Sequence, residues 1–90
     1  MGSRPKDHVT PTVVDARFEE DGSLTPLAFQ WGGARLPVAS HGRAWATGER
    51  EGLRRHYLVM MPGEMTFELT FAPSTLRWWV APASGRGAAV

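Results

Sequence analysis

Three histidines and five serines are the side chains here with most chemical capacity, and their spacing limits what they can do together. His8, His41 and His56 form no His-x-His or His-x-x-x-His pair, and no cysteine is present to complete a zinc site. No metal and no cofactor are expected. Ser40 is the one serine with a histidine beside it, but neighbours on an extended chain point to opposite faces, and no Gly-x-Ser-x-Gly elbow occurs. Glu19, Glu20 and Asp21 crowd a solvated turn, where neither desolvation nor a buried partner would turn one of them into an acid. Gly32-Gly33-Ala34-Arg35 lacks the lysine and spacing of a phosphate loop. The pattern of residues predicts that the protein is not an enzyme.

Binding chemistry is better represented. Between Ala34 and Tyr57, Arg35, Arg43, Arg50, Arg54 and Arg55 face only Glu49 and Glu51, a local excess of three positive charges in a chain of net charge +1. Arginine beside aromatic rings suits single-stranded nucleic acid, through phosphate contact and base stacking. Nine of the ten basic residues are arginine, and alanine, glycine and proline are plentiful. A GC-rich coding bias therefore explains the arginines as well as a ligand does. Trp78-Trp79 is a sharper signal. Strand neighbours face opposite ways, so if Trp78 joins Leu76 and Val80 in the core, Trp79 projects from the outer face. It is then covered by the tail, flanked by Arg77 or His56, packed on a protein partner or second copy, or used as a ligand platform. The candidate binding residues are Trp79, Arg77, Arg54, Arg55, His56 and Arg35, and the candidate partners are a protein, a second copy of the chain or nucleic acid.

These side chains must be positioned by strands, because the chain alternates with period two and has no capped amphipathic helical stripe. A first strand over Val9 to Phe18, interrupted by Pro11, ends in the Glu19–Ser23 turn. Leu27, Phe29 and Trp31 share a face, Gly32-Gly33 closes a hairpin, and Leu36 and Val38 return. Ser40 to Gly52, with three glycines and mixed charge, reads as the long connection, and helix is expected nowhere outside Arg43 to Gly52. Trp45 inside it is either a lid folded over the core or exposed for a partner, and the gain from burying an indole favours the lid. Then come Arg54 to Met61, the Pro62-Gly63 turn, the alternating strand with Met65, Phe67, Leu69 and Phe71, the Ala72–Thr75 turn and a last strand over Leu76 to Ala81.

The resulting expectation is an all-β domain, a small antiparallel barrel or strongly bent meander of about six strands. Its core is Phe18, Leu27, Phe29, Trp31, Val38, Tyr57, Val59, Phe67, Leu69, Trp78 and Val80. With 90 residues there is room for one domain, placed at 9–82 between a flexible lead over 1–8 and a flexible tail over 83–90. The polar Met1–Thr10 stretch does not read as a signal peptide, and no apolar run approaches the ~20 residues of a membrane span, so a cytoplasmic location with no membrane contact is expected.

The residues Ala16-Arg17-Phe18, Pro26 through Val38 (PLAFQWGGARLPV), Trp45, Arg55-His56-Tyr57, Phe67-Glu68-Leu69 and Trp78-Trp79 together resemble a family of small bacterial β-rich domains of unknown function. That family reads F-x-W-x-G-x-x-[aromatic or aliphatic]-x-V, then a tryptophan loop, a strand with tyrosine or phenylalanine, F-E-L and a final tryptophan strand. The resemblance spans about Asp15 to Ala81; Leu36 stands where an aromatic is common, and Pro37 follows it. It implies the β fold and carries no catalytic residues. Similar domains stand alone or are appended to bacterial polymerase-like proteins of translesion DNA synthesis. The expected function is an uncharacterised, non-enzymatic interaction module, and the alternative is an accessory nucleic-acid-binding domain related to DNA repair or translesion synthesis.

Overall fold

Alternation of apolar and polar side chains gives strands wherever one face can be buried, and the computed structural model, which describes residues 9–83, is built from strands in two antiparallel sheets. The strands are β1 (Thr10–Thr12), β2 (Val14–Phe18), β3 (Leu24–Trp31), β4 (Ala34–Pro37), β5 (Ser40–Thr47), β6 (Arg54–Met60), β7 (Thr66–Ala72) and β8 (Arg77–Pro82). One sheet has the order β1-β8-β7-β6-β5 and the other the order β2-β3-β4. The all-β expectation holds in its bent-meander form; the sheets do not make a closed barrel. The expected lead over 1–8 lies outside the described residues, as does the expected tail beyond Ala83, whose own N–H extends the ladder to the Thr66 carbonyl at 2.9 Å.

Two stretches of chain pass from one sheet to the other, between β1 and β2 and between β4 and β5. At Val13 the chain leaves β1 for β2, with its carbonyl accepting from Gln30 N–H at 3.1 Å. At the other corner Val38 N–H donates to Leu27 of β3 at 2.9 Å and the next residue, Ala39, to Met60 of β6 at 2.7 Å. The first corner divides the expected first strand in two.

The long loop expected over Ser40 to Gly52 is corrected: Ser40–Thr47 is the edge strand β5, paired with β6, and a single 3-10 turn over Arg50–Gly52 follows. Every β5 residue except Trp45 is exposed. An edge strand covered on neither face needs no apolar alternation, so it left no period for the sequence to display.

The core lies between the sheets, with Phe29, Val59, Met61, Phe67, Leu69 and Val80 buried and Val14, Trp31, Leu36, Val38, Tyr57 and Trp78 packed around them. Phe67 is its hub, edge-on to Phe29 (5.2 Å) and to Trp31 (5.1 Å), an arrangement favoured by the ring quadrupoles. Two expected core residues are outside. Leu27 is 39% exposed because β3 bulges there: Asp15 pairs with Ala28 and Ala16 with Pro26, leaving Leu27 without a partner on β2 and turned out of the period. Phe18 is 72% exposed at the C-terminal end of β2, next to the Glu19–Ser23 turn. The expected strand start at Leu76 is also corrected, since Leu76 has a positive φ, is exposed, and closes the turn before β8. Among the described residues no helix is long and apolar enough to cross a membrane.

Candidate functional site: the outer face of the five-stranded sheet

Register sets which side chains meet on the sheet face turned away from the core. The pairs Trp45↔His56, His56↔Thr70, Thr70↔Trp79 and Trp79↔Pro11 form one continuous row across all five strands. The row toward one end holds Thr47 opposite Arg54 and Ala72 opposite Arg77, and the row toward the other holds Leu58, Glu68 and Ala81. Trp78 faces inward, 4.7 Å from Phe71, and Trp79 outward, the division the alternation predicts.

Trp45 reaches this face through a bulge. His41 pairs with Val59 and Ala44 with Tyr57, so Gly42 and Arg43 together oppose Leu58. Without the extra residue Trp45 would lie on the inner face. With it, the indole stacks flat on the His56 imidazole, ring centres 5.0 Å apart and planes 8° apart. The expected lid over the core is therefore not formed; Trp45 is half-buried against the opposite face of the sheet. Gly42 sits against Leu58, which is buried although it points outward.

His56 is held on both ring nitrogens. Its Nδ1 lies 2.9 Å from Glu68 Oε2, and because a carboxylate only accepts, Nδ1 carries a hydrogen. Its Nε2 lies 2.8 Å from the Thr47 hydroxyl. The order carboxylate, imidazole, hydroxyl is that of a relay that activates a nucleophile. Here the hydroxyl is a secondary alcohol on an edge strand, and an indole covers one face of the imidazole. The contacts lock the imidazole plane parallel to Trp45, so that each ring covers one face of the other.

The arginines divide between the sheets. On the three-stranded sheet Arg17 Nε pairs with Glu19 Oε2 at 3.0 Å and Arg35 with Asp15, through Nε at 2.9 Å and also through Nη2. On the outer face of the larger sheet they meet indoles instead. The Arg43 guanidinium lies 4.9 Å from the Trp45 ring centre, and those of Arg54 and Arg77 lie 5.9 and 5.7 Å from that of Trp79. Among the described residues no carboxylate lies within ion-pair distance of Arg43, Arg54 or Arg77. The small, buried Ala72 beside Arg54 and Arg77 gives both stems room to lean over Trp79. Val9, Arg54, His56, Glu68, Thr70 and Trp79 line a concavity of about 540 Å³.

Of the expected binding residues, Trp79, Arg77, Arg54 and His56 come together here. Arg55 does not; it has the inward parity of Phe71 and its charge acts on Tyr57. Arg35 is on the other sheet with Asp15. Thr47, Glu68 and Thr70 are site residues that the sequence reading missed, while Arg43, noted in the basic stretch, and Trp45, expected as a lid, join the site without having been among its candidates. Glu68 and Thr70 were open to discovery, because they occupy the polar face of β7 opposite Phe67 and Leu69; what was absent was the register that puts them beside His56. His41 plays a structural part, its Nε2 donating to the Pro26 carbonyl at 2.7 Å and clipping β5 to β3. In the β2–β3 turn the Thr25 hydroxyl, then Arg17, hold Glu19 below its ordinary value, and the Ser23 hydroxyl and N–H do the same for Asp21. Among the described residues no group of three metal-ligating side chains converges.

Compared with protein-family models, curated proteins and solved structures, the chain has no match. Among the described residues the outer face carries the guanidinium groups of Arg43, Arg54 and Arg77 against the carboxylate of Glu68, which leaves it positive between Trp45 and Trp79.

Proposed function

We propose that this protein is a non-enzymatic interaction module whose contact surface is the outer face of the five-stranded sheet, and that the partner is a single-stranded nucleic acid. The observation that carries this reading is the seating of Arg43 on Trp45 and of Arg54 and Arg77 on Trp79, with no carboxylate paired to any of them among the described residues. A guanidinium on an indole keeps donors for an anion beside the ring that can stack a base; Arg54 spends Nη1 on the Leu53 and Glu51 carbonyls, at 3.0 and 3.4 Å, and among the described residues its Nε and Nη2 are left for a phosphate. Alternating cations and stacking platforms match the alternation of phosphate and base along an unpaired strand. The resemblance to domains attached to translesion-polymerase-like proteins supports the same reading, since that chemistry works on unpaired template.

The test is a tryptophan-fluorescence titration with single-stranded DNA and RNA at low and moderate salt, together with the solution mass by light scattering. Saturable quenching that weakens steeply with salt is expected, because phosphate neutralisation releases counterions. Salt-insensitive association, or a dimer whose mass reverts to monomer in Trp79→Ala, would assign the face to a protein interface instead. Hydrolysis of an activated ester by the wild type that is lost in both Thr47→Ala and His56→Ala would overturn the non-enzymatic part.

A further inference from the structure

Glu68 is, among the described residues, the one carboxylate on an otherwise cationic face, and an acid is costly on a surface meant for phosphates unless it has a task there. It lines the concavity beside Trp79, with Thr70 between His56 and Trp79 in the adjoining row. Its Oε2 holds His56 Nδ1. Among the described residues its Oε1 receives no hydrogen bond, and the side chain is 35% exposed. The concavity, about 540 Å³ and open to solvent, has room for a single base laid against Trp79.

We infer that this concavity reads one base of the bound strand by its exocyclic amino group: the base stacks on Trp79, and Glu68 Oε1 accepts from the amine. The inference rests on the nucleic-acid reading above. A carboxylate has only lone pairs to offer, so it selects a donor. Cytosine N4 and adenine N6 are donors at the corresponding edge, whereas thymine and uracil present the O4 acceptor there and are repelled. The carboxylate that holds His56 in the stacking plane thus also rejects bases that lack an amine.

The experiment compares binding of (dC)12 and (dT)12 at equal salt and neutral pH, by anisotropy, for wild type and Glu68→Gln, with the unfolding midpoint as a check that the variant is folded. Wild type should prefer (dC)12 by about tenfold, the value of one hydrogen bond to a charged acceptor. Glu68→Gln should bring that ratio close to one, chiefly by tightening (dT)12, because an amide can donate to O4 as readily as accept from N4. Equal affinities in the wild type would overturn the base reading and leave the platform standing. A Glu68→Gln variant that tightens both strands by the same factor would also overturn it, reducing Glu68 to a repulsive charge. If neither oligonucleotide binds, both readings fall. If dCMP binds as tightly as (dC)12, recognition of the amine survives while the partner becomes a free nucleotide rather than a strand.

Discussion

Trp45 and His56 stack across the β5–β6 ladder with their planes 8° apart, and they meet only because Gly42 and Arg43 occupy one ladder position opposite Leu58. The contact therefore depends on the bulge as much as on the two aromatic residues. Deleting Arg43 should restore the two-residue period and turn Trp45 to the other face. In the wild type the His56 ring protons should be shifted upfield by the indole ring current in the NMR spectrum. That shift should vanish in Trp45→Ala and in the Arg43 deletion, and its persistence in the deletion would show that the register does not depend on the bulge.

Affinity should separate stacking from charge. Trp79→Ala is expected to weaken single-strand binding by about 1–3 kcal/mol at any salt, the usual worth of a base–aromatic stack. Arg54→Ala should instead flatten the log–log salt slope by about 0.7, one phosphate contact fewer. Arg35→Ala, on the other sheet beside Asp15, should change neither, and a large effect there would move the interface off the proposed face.

Core and surface apolar residues should differ sharply in denaturant unfolding. Leu69, 0% exposed, should cost about 2–5 kcal/mol when cut to alanine, and Phe67, edge-on to Phe29 and Trp31, about 3–5 kcal/mol. Phe18→Ala and Leu27→Ala should stay within about 1 kcal/mol, since both side chains already face water.

Backbone conformation offers changes of opposite sign. Leu76 is 73% exposed at φ 60°, so Leu76→Gly loses little burial, relieves the left-handed penalty and should stabilise by about 1 kcal/mol. Gly48, at φ +74°, has the Gly52 carbonyl where a Cβ would sit, so Gly48→Ala should destabilise by about 2 kcal/mol or more. Thermal melts of the two variants should move apart around the wild type.

Tyr57 should make stability sensitive to alkali. Burial raises its phenol above the ordinary value, and the charge of Arg55 offsets that only in part. The unfolded chain thus releases this proton first, near pH 10. The contribution is intact below the ordinary pKa and is lost as pH rises through the raised folded value. Tyr57 is the single tyrosine, so a phenolate absorbance titration reads it alone. Tyr57→Phe should remove this part of the alkaline loss seen in urea midpoints.

What the sequence determined by itself is whatever depends on neighbours along the chain. Alternation in Thr66–Ala72 marks β7 and its buried Phe67 and Leu69, and the outward Trp79 follows from the inward Trp78 by the same period. Gly32-Gly33, with φ of 61° and 82°, makes the primed turn that two adjacent glycines announce. These are consequences of local sterics. The tertiary structure alone decided the rest. The bulges at Leu27 and at Gly42–Arg43 each shift a strand by one residue, and a one-residue shift exchanges its faces. That is why Leu27 left the expected core and Trp45 joined His56. The edge strand β5 exists because β6 supplies its hydrogen bonds, not because its own residues are apolar. Which arginine meets an indole and which a carboxylate depends on pairing between segments far apart in sequence. Arg35 has Asp15 across the smaller sheet, while Arg54 and Arg77 have Trp79 between them, and the binding face follows from that division.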